Sequence, residues 1–63
     1  MTVGENIANA RYAAQVSQRE LAERVGISTG QIGQIETGAR IPNVVTAKKI
    51  ADELGVKLDE LFK

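Results

Sequence analysis

Two helix starts and two helix stops fall within the segment Ser17 to Gly38, SQRELAERVGISTGQIGQIETG, and no other feature constrains the fold as tightly. Ser17 followed three residues later by Glu20 has the form of a capping box. In that arrangement the hydroxyl accepts from the Glu20 backbone N–H while the carboxylate accepts from the Ser17 N–H. Ser28 and Gln31 repeat it at the next helix start. Gly26 and Gly38 stand where the two helices end, because glycine enters the left-handed conformation without a Cβ clash. Leu21, Ala22, Val25, Ile27, Ile32 and Ile35 supply the apolar positions between the caps, and Ala22 is small enough to sit at a crossing. The segment predicts two short helices, at about 18–25 and 29–37, joined by a tight glycine turn.

The flanking sequence extends the same logic. Thr2 and Glu5 form a third capping box, predicting a first helix from Val3 to about Ala14. Its apolar stripe is thin: Val3, Ile7, Ala10 and Ala14 recur at helical spacing. Gly38-Ala39-Arg40-Ile41-Pro42 is a connection, with Pro42 barring helical continuation. Asn43 is a good N-cap for a helix through Leu54 that buries Ala47, Ile50, Ala51 and Leu54, and Gly55 stops it. Val56 to Phe62 adds one or two helical turns with Leu58, Leu61 and Phe62 on one face, although Lys57 is a poor cap and fraying is expected. No strand pattern, repeat or linker is visible. The expectation is an all-α fold: one domain over residues 1–63, five short helices around one core.

Composition removes most chemistries. The chain has no cysteine and no histidine, so disulfides, thiolate chemistry and the commonest metal ligand and general base are absent. Acidic pairs such as Glu20/Glu23 and Asp59/Glu60 have no nucleophile beside them and read as helix caps and solvated faces. The expectation is a protein that is not an enzyme and uses no metal, cofactor or small-molecule ligand. No apolar run approaches the roughly 20 residues that span a bilayer, and there is no signal-peptide core. A cytoplasmic location without membrane contact is expected.

Charge is balanced overall and uneven along the chain. Eight basic residues match eight acidic ones. Arg11, Arg19, Arg24, Arg40, Lys48 and Lys49 outnumber Glu5, Glu20, Glu23 and Glu36 in residues 1–50, whereas Asp52, Glu53, Asp59 and Glu60 outnumber Lys57 and Lys63 afterwards. One end is acidic, so a polyanion would meet the other.

A helix pair of this form can offer the outer face of its second helix to the DNA major groove. The chain resembles the lambda-repressor/Cro-like, or XRE-type, helix-turn-helix family over about Val3 to Phe62. The matching pieces are Ser17-Gln18-Arg19-Glu20-Leu21-Ala22, Val25-Gly26-Ile27-Ser28, Ile35-Glu36-Thr37-Gly38, Ile41-Pro42 and the closing Leu54-Gly55-Val56-Lys57-Leu58-Asp59-Glu60-Leu61-Phe62. The resemblance implies a five-helix lambda-repressor-like domain and a transcriptional regulator that binds double-stranded DNA in a sequence-specific way, usually as a homodimer on a two-fold operator. It also implies an ion pair between Arg11 and Glu36, and a phosphate grip by Gln18. Two departures stand out. The recognition helix carries no basic residue, and Lys57 replaces the usual small cap before the last helix.

With Ile32 and Ile35 inward, Thr29, Gly30, Gly33, Gln34 and Thr37 face outward and Gln31 lies at the edge. Thr29, Gly30, Gly33 and Gln34 are the candidate base contacts. Gln34 has the amide that pairs with the N6/N7 edge of adenine, and the Thr29 methyl suits a thymine methyl. Each glycine costs about 0.5–1 kcal/mol relative to alanine inside a helix. Close approach to DNA, packing against a neighbouring helix or a partner, or mere tolerance all account for that cost. Candidate backbone contacts are Gln18, Arg19, Ser28, Gln31, Thr37, Arg40 and Asn43 with the helix it caps. With so few cations, roughly two to four phosphate contacts per subunit are expected, and a shallow salt dependence. Leu58, Leu61 and Phe62 are the candidates for a dimer interface; they either complete the core or extend across a two-fold axis. A second class of function remains open: an antitoxin-like or adaptor module that uses the same bundle to hold another protein. The Gly30-Gln31-Ile32-Gly33 spacing matches the GXXG loop of KH domains superficially, but those need strands.

Overall fold

All three capping boxes close. In the computed structural model, which describes residues 1–63, the Thr2 N–H donates to Glu5 Oε1 at 3.0 Å and the Glu5 N–H to Thr2 Oγ1 at 3.1 Å. The reciprocal pairs at Ser17/Glu20 and Ser28/Gln31 have distances of 2.9–3.1 Å. They open α1 (Val3–Ala13), α2 (Gln18–Val25) and α3 (Thr29–Thr37). Asn43 Oδ1 accepts from the Thr46 N–H at 2.8 Å and opens α4 (Val44–Leu54). Gly26 and Gly38, both at φ 87°, end α2 and α3 in the left-handed conformation.

Helix α1 stops differently. No glycine follows it, and Gln15 takes the left-handed turn at φ 58°. A side chain in that region costs about 1–2 kcal/mol. Ala14, expected in the buried stripe, is its exposed C-cap, because the helix ends one residue early and turns away from the core. Ile7 is fully buried, while Val3 and Ala10 are partly so.

The core draws one large side chain from each element: Ile7, Leu21, Ile32, Ile50 and Leu61 are all essentially inaccessible. Ala22, Ala47 and Ala51 are equally buried and let the backbones approach. Helix α3 packs against both α1 and α2, and α4 closes the other side of α2.

The expected fifth α-helix is instead a 3₁₀ turn, Leu58–Phe62. Lys57 offers no side-chain cap, and five residues are too few to offset the nucleation of an α-helix. The architecture is four α-helices and a closing turn. Asn6 Nδ2 ties that turn to α1 by donating to the Leu61 carbonyl at 3.0 Å. Every buried side-chain polar atom has a partner. No helix is long and apolar enough to cross a membrane.

Candidate nucleic-acid interface

Ile32 and Ile35 anchor α3 to the core, which fixes what the helix turns outward. Thr29, Gly30, Gln34 and Thr37 are exposed, and Gln31 and Gly33 are half-buried. The Gln34 side chain makes no hydrogen bond within the protein, so both its donor and its acceptor are available. Thr37 is partly spoken for, since its hydroxyl donates to the Gln34 carbonyl at 3.2 Å. Ser28 Oγ and Gln31 Oε1 are used in the capping box, leaving the Gln31 amide N–H groups free. A methyl group at Gly33 would touch nothing within 4 Å, and one at Gly30 only Ser28 Oγ at 3.8 Å. The two glycines are therefore not required by packing inside this chain.

The only charge on α3 is Glu36, and it is turned away from the outer face. Arg11 Nε donates to Glu36 Oε2 at 2.8 Å and Arg11 Nη2 to Glu36 Oε1 at 3.1 Å, while Nη1 donates to the Val16 carbonyl at 3.0 Å. The Glu36 carboxylate raises the already high pKa of Arg11 further, so the arginine stays charged despite its burial. Gln18 Nε2 also donates to Glu36 Oε1, at 3.0 Å. The amide expected to face a phosphate is thus turned inward, because the second oxygen of a buried carboxylate takes another donor. Glu36 consequently joins α1, α2 and α3 in one polar knot beneath the outer surface.

Cations lie beside the ridge rather than on it. Arg40 is exposed and unpaired, in the connection whose N–H donates to the Gln34 carbonyl at 3.1 Å. Arg19 meets Glu23 at 3.2 Å with both side chains largely in solvent, a pair worth about 0.3–0.5 kcal/mol and easily exchanged for a phosphate. Asn43 uses its oxygen for the cap of α4. No group of three or more acidic, histidine or cysteine side chains is arranged to hold a metal ion.

Of the two roles open to the tail residues, core or dimer interface, Leu61 takes the first: it is 1% exposed in the single chain and fills the core. Leu58 is half-buried, and Phe62 is 46% exposed. The sequence reading also passed over Gly4. Gly4 is buried where α1 crosses the end of α3, against the Ile35 and Glu36 backbone. A glycine inside a helix, with no turn to require it, was the available signal.

Comparison with known proteins is consistent across sequence and structure. A family model described as helix-turn-helix matches residues 7–61. Among curated proteins, the cryptic phage CTXphi transcriptional repressor RstR of Vibrio cholerae is 36% identical over 61 residues, covering 97% of this chain and 54% of the repressor. The chain thus spans about half the length of this relative. Among solved structures, the restriction-modification controller protein C.AhdI of Aeromonas hydrophila aligns with a TM-score of 0.90 at 32% identity, covering 95% of this chain and 91% of that one. The P22 c2 repressor in complex with a synthetic operator aligns with a TM-score of 0.93 at 28% identity, covering 100% and 96%.

Proposed function

Because this chain belongs to the helix-turn-helix family, we propose that it is a DNA-binding transcriptional regulator that reads duplex with the uncharged outer face of α3. The observation that carries this reading is the free Gln34 amide, held outward by the buried Ile32 and Ile35 and bordered by the exposed Arg40. The relatives fit it: one is named a transcriptional repressor, and another was solved on an operator. Thr29, Gly30, Gly33 and Gln34 face the bases in this scheme, with Gln34 on an adenine edge. Arg19, Arg40, Gln31, Ser28, Thr37 and the Asn43-capped start of α4 meet the backbone, joined by Gln18 if it exchanges Glu36 for a phosphate.

One such face supplies few contacts, so the protein acts as a homodimer with Leu58 and Phe62 near the two-fold axis. The location that suits such a regulator is the cytoplasm. Selection from a random duplex pool tests the function directly. Enrichment of an inverted repeat is the expected result, and a pool that stays random removes DNA reading.

The adaptor reading rests on a different observation. Ile41, Val44 and Val45 stand 79%, 68% and 65% exposed around the start of α4, more apolar surface than a duplex backbone needs. The same selection separates the two, since an adaptor enriches no sequence.

A further inference from the structure

No side chain separates the start of α1 from the last turn of α3. A methyl group at Gly4 would lie 2.7 Å from the Glu36 carbonyl oxygen and 2.9 Å from its carbonyl carbon, with the Ile35 carbonyl oxygen nearer still. All three atoms are backbone, so no rotamer change makes room. Restoring ordinary van der Waals separation takes a helix displacement of about 1 Å. Arg11, on the same helix, holds the Glu36 carboxylate. Helix α1 therefore grips the end of α3 at two levels, backbone to backbone at Gly4 and charge to charge at Arg11.

We propose that Gly4 is a positioning residue for DNA reading: by admitting the Ile35 and Glu36 carbonyls against α1, it sets how far the Gln34 end of α3 stands out from the body. The inference rests on the reading of α3 given above. Helix α1 resists displacement, because the Thr2–Glu5 box closes its first turn, Ile7 is fully buried one turn on, and Asn6 holds the Leu61 carbonyl. Helix α3 is anchored by Ile32 and Ile35, but beyond Glu36 no side chain is buried until Pro42, so its end has the fewer contacts to resist a shift. Added bulk at position 4 thus displaces the end of α3. Base hydrogen bonds tolerate only about 2.7–3.2 Å, so a shift of about 1 Å breaks those made by Gln34.

The test is Gly4→Ala, made in the natural chain and again with Gln15→Gly, which relieves the left-handed Gln15 and adds stability away from α3. Dissociation constants are measured for a duplex selected by the unmodified chain and for a scrambled one. Partial unfolding weakens both in the same proportion and leaves their ratio unchanged. The proposal expects that ratio to fall by about tenfold or more. It also expects the amide resonances of residues 34–38 to shift while residues 3–6 stay helical. An unchanged ratio overturns it, as does unwinding of the first turn of α1 with the α3 resonances unmoved. Failure of the unmodified chain to select any sequence is a separate result, obtained first, and sinks the DNA reading itself.

Discussion

Arg11 and Glu36 meet through two parallel hydrogen bonds, of 2.8 and 3.1 Å, with each side chain only 8% exposed. Removing one partner leaves a buried charge with too few donors or acceptors, which costs about 3–5 kcal/mol. Arg11→Met is expected to lower the unfolding free energy obtained from a urea titration by that order. Replacing both, as Arg11→Met with Glu36→Leu, is expected to restore much of the loss. If the double variant proves as unstable as the sum of the two single ones, the pair is not the source of the cost.

Gly33→Ala separates folding from reading. The added methyl meets nothing within 4 Å, so it should raise stability by about 0.5–1 kcal/mol through helix propensity. On the proposed reading duplex affinity should fall, because the same methyl would stand where a base edge approaches. Thermal melting and titration of a selected duplex check the two halves. Higher stability with unchanged affinity would mean that the glycine is merely tolerated.

Gln34→Ala should erase preference at one base pair while leaving the melting curve unaltered, since the side chain holds nothing inside the protein. A bidentate contact to adenine is worth about 1–3 kcal/mol, so discrimination at that position should drop by about tenfold or more. Equal loss on every duplex would reassign Gln34 to the backbone.

Acid should loosen the helix starts. The Thr2 and Ser17 backbone N–H groups donate to Glu5 and Glu20 and hold both carboxylates below their ordinary value of 4.5. A depressed folded-state value means that the stabilisation is complete above 4.5 and disappears as pH falls through the lower value. The melting temperature is expected to decline on acidification from about pH 5 to about pH 3. The variant carrying Glu5→Gln and Glu20→Gln should decline less steeply over the same interval. Parallel slopes for the two chains would remove the caps as a cause.

Gln15→Gly should stabilise the chain by about 1 kcal/mol, the left-handed penalty less the extra freedom glycine brings to the unfolded state. Chemical denaturation reads this directly. A loss of stability would mean that the Gln15 side chain contributes more than its backbone conformation costs.

The helix starts were legible because each is written within four residues: Thr2 with Glu5, Ser17 with Glu20, Ser28 with Gln31. The buried faces of α2, α3 and α4 followed from spacing, since a short helix on one core has little choice of side. What escaped depends on distant neighbours. The inward turn of the Gln18 amide is set by Glu36, eighteen positions away, and the requirement at Gly4 by carbonyls of α3. Gln15 carries no local sign of a left-handed turn, because glutamine is not selected for one. The tail lost its fifth helix for want of a cap at Lys57, a weakness visible in the sequence whose outcome packing decided.

The outer side chains of α3 lean on nothing: Gln34 is unbonded, Gly33 has open space around it, and Thr29 is exposed. On the proposed reading of α3, sequence preference and foldability can therefore drift independently in descendants of this chain. Under that reading a new binding vocabulary would need only exchanges at positions 29, 30, 33 and 34, with no compensating change beneath them.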